Sequence, residues 1–271
     1  IEAANQRDFA RGEELFALLG DYRDSEDELK QARYNLAINL LEQGKTDEAI
    51  EAFTALDDFS QSADYLRQAY ALKGDAALEE QDYPAAAEFY RRAGDHQGAQ
   101  EGYSESVYLQ AKQLLDAGDA SAATVLLKQI EGYKDATQLL ESTAYELAGE
   151  LKAQGDYRRA AEQFALIAGF QDAAQQAEES YDFYYADAYT IAKEAEKARD
   201  WKTALEALEG LDRENPGMKY WDVQSMYENA VYQYANELYN EDKPYEALPY
   251  YRLIPDYRDV TSRRLTRVPY R

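Results

Sequence analysis

The chain has 271 residues, 53 of them acidic and 29 basic, a net charge of −24, and no cysteine. The carboxylate excess argues against nucleic acid and anionic membranes as partners, since both need clustered Lys and Arg. The missing thiols exclude disulfides, thiol catalysis and Cys-ligated zinc.

No apolar run approaches the roughly 18 residues of a membrane span, so direct membrane insertion is not expected. The opening Ile1, with no charged-then-apolar leader, reads as a mature or trimmed piece. Residues 1–24 carry Gly12, Phe16 and Leu19 in register with the second helix of a partial first repeat. A short turn, Asp21-Tyr22-Arg23-Asp24-Ser25, then introduces a motif that organises the chain. It returns around Phe59, His96, Tyr133, Phe170, Tyr220 and Tyr257. From Tyr22 to Phe170 the step is 37 residues each time, and it is 37 again from Tyr220 to Tyr257. A fixed period of this length marks a repeat array.

Residues 25–61 serve as the type repeat. Leu29, Ala32, Leu36, Ala37, Leu40 and Leu41 recur at three- and four-residue steps, which predicts a helix from Ser25 to Leu41. Asp24 is expected to cap it and Gly44 to end it. A second helix is predicted over Thr46–Leu56. Further repeats fall at 62–98, 99–135, 136–172, 173–222 and 223–259, and a partial helix at 260–271. Each carries a small residue near the middle of the first helix, from Ala37 to Ala235. Twelve residues later comes an Ala, four further on a large apolar residue, and three further on another apolar one. The 173–222 repeat is longer. Its first helix is predicted to run lengthened and unbroken from Ala173 to about Ala198, with a long loop around Asn215-Pro216-Gly217.

This spacing resembles the tetratricopeptide repeat. The resemblance covers essentially the whole chain. It departs in its 37-residue period, in the unfilled Trp and Pro positions of that family, and in the added aromatic-x-Asp turn. It implies an all-α, right-handed superhelical solenoid in one domain, 1–271, that binds protein or peptide without catalysis and without a cofactor. It also implies that Tyr34, Tyr108, Tyr145, Tyr189 and Tyr232, at one equivalent place on the first helices, line a concave groove. Lys112, Lys193 and Asn236 lie one turn away. Two roles stay open for the tyrosines: a stacking platform for a ligand, or wedges between helices.

His96 is the only histidine, and it stands where other repeats hold Tyr or Phe, so it reads as a structural substitute. No nucleophile–base pair, phosphate loop or calcium loop is present in the sequence, and no enzyme is expected. Tyr181, Phe183, Tyr184 and Tyr185 on the lengthened helix read as local packing or as a partner patch. Arg258, Arg263, Arg264, Arg267 and Arg271 make a basic tail, read as a solvated cap or as a clasp for self-association. Two other functions remain in view: a carbohydrate-binding or cell-envelope module on a bacterial surface, and a structural spacer between domains.

Overall fold

Two interlocked turns at five of the repeat turns set the path of the chain. The Tyr133 amide donates to the Ile130 carbonyl at 3.0 Å, and the Tyr133 carbonyl accepts from the Ala136 amide at 2.9 Å. The same two bonds recur at Phe59, His96, Phe170 and Tyr257. The residue after the aromatic takes a left-handed conformation at Ser60, Lys134, Gln171 and Arg258, with φ between 47° and 54°. One helix therefore stops and the next starts within a few residues.

The computed structural model describes residues 14, 17–18, 25–57, 59–209, 211 and 222–260. Among them are twelve helices and no strand: α1 Ser25–Glu42, α2 Thr46–Leu56, α3 Ser62–Glu79, α4 Tyr83–Ala93, α5 Ala99–Asp116, α6 Ala120–Gln129, α7 Ala136–Ala153, α8 Tyr157–Leu166, α9 Ala173–Ala198, α10 Trp201–Glu209, α11 Val223–Asn240 and α12 Pro244–Leu253. Long and short helices alternate. The expected Thr46–Leu56 and Ala173–Ala198 helices are found with those bounds. Gly12, Phe16 and Leu19, the loop around Pro216, and Arg263, Arg264, Arg267 and Arg271 lie outside the described residues.

Every long-to-short connection closes the same way. The Lys45 amide reaches the Leu40 carbonyl, and Asp82, Asp119, Asp156, Asp200 and Lys243 make the matching bond five residues back. This is the Schellman closure, which needs one left-handed residue. Gly44, Gly118 and Gly155 supply it without a Cβ penalty, and Gln81, Arg199 and Asp242 supply it despite one.

The chain divides into two units, 1–144 and 145–271, and the division falls within α7. In the first unit, α1 packs on α2, α2 on α3, and so on through α6. In the second, α8 through α12 pack in the same sequential manner. All four repeat positions read from the sequence are buried in each of the six helix pairs. Ala37 and Ala49 are fully buried and bring the α1 and α2 backbones together, while Phe53 fills the space beside them. In the second unit Ala192, Ala204 and Leu208 play the same parts.

Candidate functional site

The tyrosines of the expected groove are tied into the fold. The Tyr108 hydroxyl donates to Asp135 Oδ1 at 2.6 Å, Tyr145 to Asp172 Oδ1 at 2.7 Å and Tyr232 to Asp259 Oδ1 at 2.5 Å. In each pair the aspartate belongs to the aromatic-x-Asp turn 27 residues downstream. Tyr189 makes the same bond to Asp222 Oδ2 at 3.1 Å, across 33 residues. The bond is thus kept in the longer repeat. Tyr34, Tyr108 and Tyr232 are buried, and Tyr145 and Tyr189 half-buried. The rings of Tyr34, Tyr108, Tyr145 and Tyr232 meet neighbours edge to face, as Tyr145 meets Phe164 at 5.4 Å and Phe170 at 5.7 Å. The rings at 34, 108 and 232 therefore present no exposed face for stacking.

The aspartates of these pairs do not act as helix caps where the cap is described. Asp24 lies outside the described residues, but its counterparts Asp172 and Asp222 make no side-chain cap to the helices they precede. Their carboxylates turn to the tyrosine hydroxyls instead. Side-chain caps occur on the short helices, where Asp82, Asp119, Asp156 and Asp200 accept from Ala85, Ala122, Arg159 and Thr203 amides. The hydrogen bonds also shift titration. The Tyr108 and Tyr145 hydroxyls are held above the usual phenol range by their aspartates, and Asp135 and Asp172 below the usual carboxylate range by their tyrosines.

The polar residues expected beside these tyrosines are likewise engaged. Lys193 pairs with Asp222 at 2.9 Å and lies 5.2 Å from the Tyr189 ring centre. Lys112 sits over the Tyr108 ring at 5.5 Å. Asn236 accepts the Tyr251 hydroxyl at 2.7 Å. Tyr90 makes the equivalent bond to Asp75 at 2.6 Å, and its hydroxyl is pushed well above the usual range by burial and then by that carboxylate. Where the large residue of the short helix is Phe or Leu, the residue that follows the small one on the long helix is no longer acidic or amide: Ile38, Lys112, Gly149 and Lys193 stand there.

The third repeat is the exception to the tyrosine pattern, and it changes at linked places. Ala71 replaces the tyrosine and Gly98, 27 residues on, replaces the aspartate. A shallow hollow of about 560 Å³ lies beside that turn, lined in part by His96, Gly98, Glu101 and Tyr133. His96 is half-buried there and its backbone makes the same two turn bonds as Tyr133.

On α9 the aromatic cluster divides. Tyr184 and Tyr185 pack against the core of the second unit, and Tyr181 stacks on Tyr185 at 6.3 Å. Phe183 is 49% exposed, with one flank on Tyr157 at 5.2 Å and Lys152 5.6 Å from its ring centre. Ile191, two helical turns on, is 41% exposed. Sequence inspection missed Ile191, because it singled out aromatics and passed over an aliphatic side chain on the same flank. Among the described residues no group of three or more His, Asp or Glu could hold a metal ion, and no helix is long and apolar enough to cross a membrane. Compared with protein-family models and with curated proteins, the chain matches none.

Proposed function

We propose that the chain is a non-catalytic protein-binding scaffold, a right-handed superhelical solenoid of tetratricopeptide-like helix pairs whose contact surface is the exposed flank of α9. The observation that carries this reading is the pair Phe183 and Ile191. Both are large apolar side chains left in water on a helix of 26 residues, where the other long helices have 18. Apolar groups that water surrounds are favoured partners for another protein's apolar surface. Tyr157 and Lys152 hold the Phe183 ring in place, which lowers the ordering cost of binding.

A photo-crosslinking residue placed at 183, and separately at the charged, exposed position 51, tests it in cells that make the protein. Adducts at 183 and none at 51 are expected. Equal labelling at both positions, or none at 183, removes this reading. The rival is a structural spacer, favoured by the tyrosine–aspartate bonds that close the would-be groove. It predicts no adduct at either position. A sugar-stacking module needs open aromatic faces, which Tyr34, Tyr108 and Tyr232 lack.

A further inference from the structure

Asp187 stands midway between the two exposed apolar side chains of α9. It lies four residues after Phe183 and four before Ile191, so the three run up one face of the helix, one turn apart. Thr190 and Glu194 share that face, three residues beyond Asp187 and Ile191 in turn. Asp187 and Glu194 are exposed, and neither takes a hydrogen bond or an ion pair among the described residues. Exposed carboxylates on the short helices differ: Glu88, Glu162 and Glu206 each have an Arg or Lys one turn away. The groups near the α9 face are committed elsewhere. Lys152, beside the Phe183 ring, is held by Glu179 at 3.2 Å, and Lys193 by Asp222 at 2.9 Å. The Thr190 hydroxyl donates to the Ala186 carbonyl at 2.8 Å. Lys197, three residues past Glu194, forms no ion pair among the described residues. The flank is apolar and anionic at once, and its charge is not compensated from within.

A surface that covers Phe183 and Ile191 together covers Asp187 as well. In water the carboxylate is hydrated and needs no partner. Beneath an apolar cover it loses that water, and a charge buried without a counter-charge costs more than the apolar contact beside it returns. A cation carried by the partner removes the penalty and sets the register. Given the contact surface proposed above, on which this step rests, we infer that the segment seated on α9 is a basic amphipathic helix of another protein. It presents two apolar side chains eight residues apart, which matches the separation of Phe183 and Ile191 along the axis, about 12 Å. A Lys or Arg halfway between them meets Asp187. A second, one turn past the apolar residue on Ile191, meets Glu194. The general charge of −24 draws any basic molecule towards the chain, but it acts over the whole surface and selects no one position. The carboxylate between Phe183 and Ile191 does select one.

Photo-crosslinking from position 183, with benzoylphenylalanine in place of the Phe, tests the partner's chemistry in cells that make the protein. The adducts are digested and the attached segment is sequenced by mass spectrometry. That segment is expected to carry Lys or Arg about one helical turn from the point of attachment. Asp187→Lys is expected to cut the adduct yield about tenfold, and Asp187→Asn to cut it less. Glu51→Lys makes the same change in net charge at an exposed position of α2 and should leave the yield as it was. Changing the identified basic residue of the partner to Glu should restore adducts to Asp187→Lys. Position 187 is exposed, and an unchanged helical circular dichroism spectrum shows that each variant is folded. Three results overturn the inference and leave α9 as the contact surface: adducts undiminished in Asp187→Lys, adducts that fall equally in Glu51→Lys, or an attached segment with no basic residue at that spacing. No adduct at 183 in any variant removes the contact surface itself, and the inference with it.

Discussion

Tyr108 on α5 and Asp135 in the turn before α7 are 27 residues apart and joined hydroxyl to carboxylate at 2.6 Å. The bond fastens a long helix to the turn that starts the next one, so it couples neighbouring pairs and not the helices of one pair. The Lys134 ammonium lies 5.1 Å from the Tyr108 ring centre and 5.3 Å from that of Tyr133, closing the same corner from outside. Arg258 does the same over Tyr232 and Tyr257.

Tyr108→Phe keeps the ring and removes the donor. It is expected to lower Tm by a few degrees, as is Asp135→Ala. The double variant should lose less than the two single losses together, since the second change removes a partner already idle. Thermal melts of the four proteins check this. Strict additivity would show that the bond contributes nothing.

The same pairs predict a pH dependence. Asp135 and Asp172 have folded pKa values below their unfolded ones, so their contribution is present above the unfolded carboxylate range. It is lost as pH falls through the depressed folded values. Tyr108 and Tyr145 have raised values, so their contribution is present below the unfolded phenol range and is lost as pH rises through the folded values. The net charge of −24 changes in both directions as well, and its general repulsion is common to any variant. The specific part is read by difference: the stability of Tyr108→Phe/Tyr145→Phe should fall less steeply than wild type on both the acid and the alkaline limbs. Denaturant melts across the pH range check it, and parallel curves would refute the coupling.

Much of this was legible in the sequence. Small-residue spacing located all the helix pairs, because close approach of two backbones leaves little choice but Ala or Gly at 37, 49 and their counterparts. The tyrosine positions are equally visible, and so is the residue 27 places after each. The signal was present: Tyr108, Tyr145 and Tyr232 each have Asp at that distance, Ala71 has Gly98, and Tyr34 has Gln61, with which it forms no hydrogen bond. What the sequence could not give was direction. An aspartate at the start of a helix serves equally well as a cap for that helix or as an acceptor for its neighbour, and only packing decides between them.

That distinction makes a prediction of its own. Asp119 accepts from the Ala122 amide at 3.0 Å and caps α6. Asp119→Ala should cost about 1 kcal/mol, and Asp119→Ser should recover most of it, because a serine oxygen also caps. Asp135→Ser should recover nothing over Asp135→Ala, since a short hydroxyl does not replace a carboxylate at the Tyr108 oxygen. Denaturant melts of the four variants separate the two roles. Recovery by serine at both positions would return Asp135 to a cap.

Tyr90 on α4 occupies space that two glycines leave open. A Cβ added at Gly74 would lie 2.8 Å from its ring, and one added at Gly102 on α5 would come closer still. Ala occupies the Gly74 position in every other repeat, so the third repeat has exchanged a methyl for a larger ring. Gly102→Ala pushes against a buried aromatic that cannot swing away, because its hydroxyl is held by Asp75. The expected loss is about 1–3 kcal/mol, although Ala is the better helix former by up to about 1 kcal/mol. Tyr90→Leu installs the side chain that the fourth repeat carries as Leu127. By itself it should also destabilise, by leaving a void and an idle Asp75. Combined with Gly102→Ala it should be more stable than the sum of the two losses, since the methyl fills part of the space the ring leaves. Urea melts of the four proteins measure the coupling. A Gly102→Ala variant as stable as wild type would mean that the ring moves freely, and that the glycines at 74 and 102 are not there to receive it.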